Sequence, residues 1–430
     1  MATHSSSTLK VLHATKVGGR VWFRRSLSSW SSIPQGPPDP ILGLTEAYKR
    51  DQNPDKVNLG VGAYRSDEGL PVVLDSVKEA KRRLLETHHD HEYAPIEGLP
   101  KYRQHAARLI FGEDSAALAD GRVASMQSLS GTGALRVAAA FLHRFLGDAT
   151  PLLLPNPTWG NHNPIIKDAG LAVQSYRYYK RDAPRMFDLQ GMLEDLDRAP
   201  KGAVVLLHAC AHNPTGVDPR EEDWDQVLEV VQRRGLGVLM DCAYQGFASG
   251  DAERDAAAVR KFVAKGVPII VAQSFAKNFG LYGERAGALH VVTDREQEKE
   301  AVESQLKILA RAMYSNPPLF GARVVQTILD DDKLEAQWRK ECAGMADRIG
   351  GMRQLLRSGL EERQPGADWS HITDQIGMFT FTGLKEDEVK RLVHDHSIYM
   401  TSNGRISMAG LTSKNVDYVV DCIDKVTSNK

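Results

Sequence analysis

The sequence has few cysteines, and no two of them lie close together. The four are widely spaced and form no Cys-x-x-Cys pair: Cys210, Cys242, Cys342 and Cys422. This spacing offers neither a disulfide framework nor a zinc module, and it is typical of a reducing compartment. The chain also lacks any apolar run near the roughly 20 residues that span a bilayer. We therefore expect no metal centre and no integral membrane segment.

The chain lacks an excess of charge of either sign. It has 54 basic and 55 acidic side chains, and its formal net charge is -1. Because nucleic acids and anionic membranes attract basic surfaces, we expect neither as a partner. Any basic residue that matters for function is then expected to act locally, within a binding site.

The N-terminal segment lacks acidic residues, since the first acid is Asp39. Serines and threonines are frequent there, among five basic residues: Lys10, Lys16, Arg20, Arg24 and Arg25. This composition is typical of an organellar transit peptide, and a secretory signal would need an unbroken apolar segment. We predict that residues 1–27 are a transit peptide cleaved near Leu27 in the mitochondrial matrix. The alternative is a disordered tail without a function.

Short apolar runs alternate with amphipathic helical patterns from about residue 73 onward. The runs include residues 203–207, 236–240 and 267–271, and helices are predicted at 221–234, 252–265, 295–311, 334–359 and 415–427. Continuous apolar runs suit parallel strands that are buried on both faces. The alternation therefore predicts an α/β fold with a large, doubly wound, mostly parallel sheet, followed by a smaller α+β domain.

Polar clusters follow the apolar runs at the points where the strands are expected to end. These clusters are residues 130–133, 212–216, 241–244 and 274–277. Since ligands of such sheets bind at the carboxyl ends of the strands, we expect the clusters to form one shared site.

Two of these clusters suit a phosphate group. Ser130-Gly131-Thr132-Gly133 would open a helix and present backbone N–H groups to an anion. It matches neither a P-loop nor a dinucleotide fingerprint, and taken alone it is more often a plain tight turn. Lys277 is flanked by Ser274 and Arg285, which also suit a phosphate. A lysine in this setting suits a Schiff base with a phosphorylated aldehyde, although a lone lysine is usually a surface residue.

Longer motifs give the chain a family resemblance from about residue 28 to residue 430. It resembles the aspartate aminotransferases of the fold-type I pyridoxal-phosphate family. The motifs that carry the resemblance are VNLGVGAYR (57–65), HEY (91–93), SGTG (130–133), NPTWGNH (156–162), HNPTG (212–216), DCAYQGF (241–247), SFAKNFGLYGER (274–285), MYSNPP (313–318), DQIGMF (374–379) and GRIS (404–407).

The resemblance implies a role for each residue around a pyridoxal 5'-phosphate cofactor. Lys277 would form the Schiff base, and Asp241 would keep the pyridine nitrogen protonated. Tyr244 and Asn213 would bind the phenolic oxygen, while Trp159 would stack on the ring. The phosphate would be held by Ser130, Gly131, Thr132, Ser274 and Arg285, together with Tyr93 of the neighbouring subunit. His162 would support Asp241 from behind.

The resemblance also implies how a dicarboxylic substrate would bind. Arg405 would bind the α-carboxylate, helped by Asn213 and the Gly62 backbone. Arg311 of the neighbouring subunit would bind the side-chain carboxylate, so the working unit would be a homodimer. Ala312 stands where proline is usual in the family, so the loop that aims Arg311 is expected to be less rigid.

The implied activity is the transfer of an amino group between L-aspartate and 2-oxoglutarate. The alternatives are an aminotransferase for aromatic amino acids or kynurenine, and a catalytically silent binding protein on the same fold. The expected organisation is a transit peptide (1–27), an N-terminal arm with part of the small domain (28–72), a large cofactor-binding domain (73–344) and a small C-terminal domain (345–430).

Overall fold

A seven-stranded sheet runs through the larger part of the molecule. The computed structural model describes residues 16–17, 20–21, 30, 33–36, 40–87, 90–182 and 186–428. The strands of this sheet and of the smaller sheets are β1 (Lys16–Val17), β2 (Arg20–Val21), β3 (Val57–Asn58), β4 (Val123–Leu129), β5 (Pro151–Asn156), β6 (Ala172–Arg177), β7 (Tyr179–Lys180), β8 (Met186–Phe187), β9 (Val204–His208), β10 (Gly237–Cys242), β11 (Ile269–Ser274), β12 (Ala286–Val292), β13 (Phe379–Phe381), β14 (Ile398–Tyr399) and β15 (Arg405–Ser407).

The order of the strands in the large sheet is β4-β12-β11-β10-β9-β5-β6. β12 runs antiparallel to both of its neighbours, and the other strand pairs of this sheet are parallel. The prediction of a large, mostly parallel α/β sheet is therefore confirmed. The carboxyl ends of β9, β10 and β11 lie side by side at one edge, which is where a ligand is expected to bind.

Helices cover both faces of this sheet. The helices of the described residues, including those away from this sheet, are α1 (Pro40–Arg50), α2 (Asp75–Thr87), α3 (Pro100–Phe111), α4 (Ala116–Ala119), α5 (Ser130–Leu146), α6 (His162–Asp168), α7 (Leu189–Arg198), α8 (Glu221–Arg234), α9 (Ala252–Asp255), α10 (Ala257–Ala264), α11 (Glu296–Met313), α12 (Phe320–Leu329), α13 (Asp332–Arg363), α14 (His371–Asp374), α15 (Glu386–His396) and α16 (Val416–Thr427). In β9, Val205 and Leu207 pack into the core on one face, and Val204 and Leu206 pack into the core on the other. This double burial explains the continuous apolar run.

The observed helix bounds follow the local sequence. α8 begins with three acidic residues and ends at Gly235, which adopts a left-handed conformation, so its bounds agree with the predicted 221–234. The single helix predicted at 252–265 was wrong, because the chain breaks it at Ala256 into α9 and α10. Asp255 turns inward there and accepts hydrogen bonds from the backbone N–H groups of Gly246 and Ser249.

Two small strand pairs position the segments that contain Gly62 and Arg405. β3 pairs in parallel with β14, and β13 pairs antiparallel with β15. They place the segment around Gly62 beside Arg405, which begins β15. Residues 41–430 form one compact unit, and the finer division into large and small domains stays a prediction.

Residues 1–40 form a separate unit, in which β1 and β2 pair antiparallel. The predicted cleavage site at Leu27, together with most of the predicted transit peptide, lies outside the described residues. None of the described helices combines the length and apolar character needed to cross a bilayer. The described ranges also hold no cluster of three or more His, Cys, Asp or Glu side chains arranged to bind a metal ion.

Candidate active site

A cavity lies where β4, β9, β10 and β11 end, and it brings the four polar clusters together. It is lined by Ser130, Gly131, Thr132, Leu135, Trp159, His208, Asn213, Asp241, Ala243, Tyr244, Ser274, Ala276, Lys277 and Arg285. Residues more than 150 positions apart in the sequence meet here because parallel strands end at the same edge of the sheet.

Lys277 follows β11 and lines this cavity, where its side chain is half-buried. Its Nζ atom lies 5.2 Å from the centre of the Tyr244 ring. Burial lowers the pKa of Lys277, and the negative charge of Asp241 opposes this shift. Lowering the pKa increases the fraction of neutral amine, which is the form that attacks a carbonyl group.

Asp241 is the buried carboxylate of the cavity, and His162 supports it. The Nε2 atom of His162 lies 3.1 Å from Oδ2 of Asp241, and its Nδ1 atom lies 2.7 Å from Oγ1 of Thr158. Burial works against ionisation, but the hydrogen bond from His162 and the nearby positive charges outweigh it and lower the pKa of Asp241. The carboxylate is therefore charged and available to a cationic partner in the cavity.

A small, polar cup forms where α5 begins. Ser130 adopts a left-handed conformation with φ of 59°, and its Oγ atom lies 3.0 Å from Oγ of Ser274. A Cβ atom added to Gly131 would lie 3.1 Å from Cβ of Ser274, so glycine leaves room that a side chain would fill. Arg285 also borders the cavity. Hydroxyl groups, a guanidinium and the positive end of a helix fit a phosphate group.

Asn213 and Tyr244 also line the cavity. The Oδ1 atom of Asn213 is buried and has no hydrogen-bond partner among the residues that the structure describes. Burial raises the pKa of the Tyr244 phenol, while the positive charge of Arg405 opposes this shift. Both side chains thus keep polar groups that are free to bind a molecule in the cavity.

Arg405 is buried beside the cavity with an incomplete set of partners. Its Nη2 atom donates a hydrogen bond of 3.0 Å to the carbonyl of Gly60, and its guanidinium lies 4.1 Å from the centre of the Phe379 ring. Its Nε atom is buried and unpaired within the described ranges. Burial lowers the pKa of Arg405, and the nearby Tyr244 phenol opposes this shift. Gly62 lies close by, since an added Cβ would be 3.0 Å from Cζ of Phe379.

Tyr93 and Arg311 do not line this cavity. Tyr93 is 83% exposed, and Arg311 is also exposed, donating a hydrogen bond to Oγ of Ser315. Tyr93 lies in a groove with several apolar side chains, of which Leu85 is 72% and Phe320 is 41% exposed. An exposed apolar surface of this kind is typical of a protein–protein contact.

His208 also lines the cavity, although it is not among the site residues named from the sequence. Burial lowers its pKa to about 3, so the ring is neutral. Its place as the last residue of β9 was the signal, because the other strands also deliver polar residues to the cavity just where they end. Phe379, beneath Arg405, was also missed as a contact, and no local signal in the sequence indicates it.

Comparisons with known proteins agree with this geometry. A model of the family "Aminotransferase class I and II" matches residues 54–423. Mitochondrial aspartate aminotransferases are similar to the chain: that of Dictyostelium discoideum is 53% identical over 407 residues, with 95% of each chain covered, and that of Gallus gallus is 52% identical over 403 residues, with 94% of this chain and 95% of the relative covered.

Solved structures are similar as well. A mitochondrial aspartate aminotransferase from Trypanosoma brucei superposes with a TM-score of 0.86 at 46% identity, covering 90% of this chain and 100% of that one. An aromatic-amino-acid aminotransferase from Burkholderia pseudomallei, covalently bound to pyridoxal phosphate, superposes with a TM-score of 0.90 at 42% identity, covering 94% and 100%.

Proposed function

The chain belongs to the aminotransferase class I and II family, and on this basis we propose that it is a pyridoxal 5'-phosphate-dependent aspartate aminotransferase. It would transfer the amino group reversibly between L-aspartate and 2-oxoglutarate, giving oxaloacetate and L-glutamate in two half-reactions. The relatives named above carry this activity in their names, at 52–53% identity over almost the whole chain.

One observation carries the proposal: the amine of Lys277 and the buried carboxylate of Asp241 line the same cavity as the polar cup at the start of α5. When bound, the cofactor supplies an aldehyde that takes up the amino group and a ring that accepts electrons from the substrate Cα. Asp241 holds the proton on the pyridine nitrogen, which strengthens the ring as an electron acceptor. Tyr244 and Asn213 would bind the phenolic oxygen, and Trp159 would lie against the ring.

Lys277 then acts as the proton carrier. With substrate bound, the amine of Lys277 would accept the proton that leaves the substrate Cα and would hold it for its later return. The lowered pKa of Lys277 suits this task, because a general base needs to be neutral near the working pH.

Two arginines would select a dicarboxylic substrate. The unpaired Nε and the buried position of Arg405 support its binding of the α-carboxylate. The exposed positions of Arg311 and Tyr93 support a homodimer in which each subunit lends both side chains to the other's site. A cationic side chain at the distal carboxylate would favour aspartate and glutamate over substrates with an uncharged side chain.

A visible spectrum of the purified protein tests this proposal. After addition of pyridoxal 5'-phosphate, the protein is expected to show an absorption band that shifts when aspartate is added. Lys277→Ala should lose the lysine-linked band, whereas Lys265→Ala, an exposed lysine just after α10, should behave as the wild type. A wild-type spectrum that does not respond to aspartate would contradict the proposed activity.

A second activity, on aromatic amino acids, is favoured by the Burkholderia pseudomallei structure, which is named for that substrate class. Comparing turnover on aspartate and on phenylalanine separates the two activities. We expect aspartate to be strongly preferred, since a charge-assisted pair to Arg311 has no counterpart on a phenyl ring.

We further propose that the protein works in the mitochondrial matrix. The acid-free N-terminus and the relatives named as mitochondrial support this location. Mass spectrometry of protein isolated from the organelle should find a new N-terminus near residue 28. Recovery of the intact Met1 terminus, or a fusion that stays in the cytosol, would contradict this localisation.

A further inference from the structure

The loop that carries Asn213 begins with a strained residue. Ala211 has φ of 49°, a left-handed conformation that costs energy for a residue with a side chain. This conformation turns the chain from the end of β9 toward the cavity, two residues before Asn213. Something must hold the turn, because an unsupported Ala211 would relax to a more common conformation.

Asp218 holds this turn with both oxygens of its carboxylate. Its Oδ2 atom accepts a 2.6 Å hydrogen bond from the backbone N–H of Ala211, and its Oδ1 atom accepts a 2.9 Å bond from that of His212. Consecutive N–H groups around a left-handed residue form a concave site for an anion. Burial raises the pKa of Asp218 to about 6, so above that pH this side chain from the far end of the same loop is the anion. Bonds to a charged acceptor are the stronger kind.

The remaining contacts of the loop lie further along it. Gly216 donates to the carbonyl of His212 at 2.7 Å, and Ile376 donates to the carbonyl of Gly216 at 2.7 Å. The Tyr178 hydroxyl donates to the carbonyl of Val217 at 2.7 Å. These bonds hold the later part of the loop, whereas the N–H groups of Ala211 and His212 are bound by Asp218.

We propose that Asp218 is a positioning residue for Asn213: by binding the two N–H groups that precede it, Asp218 sets the direction in which the Asn213 amide enters the cavity. The inference deepens the proposed function and rests on it, because Asn213 is there assigned to the phenolic oxygen of the cofactor and to the substrate α-carboxylate. Asp218 itself does not line the cavity.

Asp218→Asn tests the inference with little change in shape. The amide keeps one acceptor oxygen but turns an N–H₂ group toward the second backbone N–H, so only one of the two bonds survives. In the protein without cofactor, hydrogen exchange of residues 211–213 should become at least about tenfold faster, since the opening of this turn is then easier. This measurement does not depend on enzymatic activity.

The protein with bound cofactor gives the second measurement. Asn213 favours the anionic phenolic oxygen and so lowers the pH at which the visible band titrates. Asp218→Asn should raise that midpoint, and it should also lower kcat/KM for aspartate. Loss of stability alone would leave the midpoint of the folded molecules unchanged, so a shifted midpoint identifies positioning.

Asp251 provides the matched control. Its carboxylate also accepts from two consecutive backbone N–H groups, those of Glu253 and Arg254, but it does so at the start of α9, on a residue that does not line the cavity. Asp251→Asn should leave the midpoint, kcat/KM and the exchange of residues 211–213 as in the wild type.

A second variant keeps the inference testable if Asp218→Asn folds poorly. Glycine adopts φ of 49° without strain, so adding Ala211→Gly to Asp218→Asn should restore folding and return the midpoint toward the wild-type value. The inference would be overturned by unchanged hydrogen exchange of residues 211–213 or by an unchanged midpoint of the visible band in Asp218→Asn. It would also be overturned by a folded double variant whose midpoint does not return toward the wild-type value. A wild-type protein that binds no pyridoxal phosphate would instead contradict the proposed function, while the exchange measurement would still report on Asp218.

Discussion

The Nε2 atom of His162 lies 3.1 Å from Oδ2 of Asp241, and both side chains are buried. Because Thr158 binds the other nitrogen of His162 at 2.7 Å, the imidazole has a fixed orientation and holds the carboxylate in turn. A carboxylate that is charged, buried and oriented in this way is suited to a protonated pyridine nitrogen. We therefore expect substitution of Asp241 to reduce activity more than substitution of the neighbouring side chains that form neutral hydrogen bonds.

Asp241→Ala is expected to cost more activity than Tyr244→Phe. Removing Asp241 lets the pyridine nitrogen lose its proton, which weakens the electron acceptor. Removing the Tyr244 hydroxyl takes away one neutral hydrogen bond, and Asn213 still donates to the phenolic oxygen. We expect a loss of several kcal/mol against about 1–2 kcal/mol, from typical losses of charged and neutral partners. Measured kcat values decide, and equal losses would show that the partner of the ring nitrogen is misassigned.

Lys277→Ala is expected to abolish turnover while the cofactor still binds. The polar cup around Ser130, Ser274 and Arg285 does not involve the lysine amine, so the phosphate keeps its partners. Equilibrium dialysis measures cofactor binding, and steady-state kinetics measures turnover. Turnover near the wild-type rate in this variant would contradict the assignment of Lys277 as the proton carrier.

The sequence predicted the parts of the molecule in which a local pattern determines the structure. The apolar runs at 203–207 and 236–240 became β9 and β10 within one or two residues at each end, because strands buried on both faces need such runs. The strand-end rule then predicted that Asp241 and Lys277 share a cavity. Both expectations follow from short segments of sequence and from the geometry of parallel sheets.

Contacts between distant segments could not be predicted in this way. The break at Ala256 depends on Asp255 reaching back to Gly246, a tertiary contact that an amphipathic pattern does not contain. The contact of Phe379 with Arg405 depends on the pairing of β13 with β15, two strands of three residues each. Such short strands carry almost no periodic signal.

His290 is expected to make the folded state less stable in acid. Its ring is buried between Oγ of Ser125, at 2.8 Å, and Oε1 of Gln273, at 3.0 Å, and burial lowers its pKa to about 3. Below the unfolded-state pKa of about 6.5, the unfolded chain binds a proton that the folded protein does not. As the pH is lowered, this group should therefore reduce the free energy of unfolding by up to about 1.4 kcal/mol per pH unit, until the pH approaches the folded-state pKa of His290.

His290→Gln should remove this contribution, because glutamine does not titrate. The free energy of unfolding can be measured with urea on the cofactor-free protein at about pH 7 and about pH 5. Between these two pH values it should decrease by about 2 kcal/mol less in the variant than in the wild type. His394→Gln, at an exposed position of α15, serves as the control and should keep the wild-type pH dependence. An unchanged pH dependence in His290→Gln would contradict a buried, neutral ring.

Arg311→Asp and Arg405→Asp are expected to change substrate choice in different ways. Arg311 is assigned to the distal carboxylate, so reversing its charge removes an attraction and places a carboxylate against the substrate. The kcat/KM for aspartate should fall by several orders of magnitude, since each factor of ten needs only about 1.4 kcal/mol. Activity on arginine or lysine should rise relative to aspartate. Arg405→Asp should impair all amino acids together, because each of them carries an α-carboxylate.

Mixed dimers test whether Arg311 serves the neighbouring subunit, as its exposed position suggests. Chains that carry only Lys277→Ala are combined with chains that carry only Arg311→Asp. If Arg311 acts across the interface, one site of the mixed dimer keeps both Lys277 and Arg311, because the intact Lys277 chain receives its arginine from the other chain. Partial recovery of aspartate activity on mixing is the expected result. An absence of recovery in verified mixed dimers would place Arg311 in the site of its own subunit. If Arg311→Asp and Arg405→Asp each lose activity on aspartate and on alanine in the same proportion, Arg311 does not select the substrate side chain.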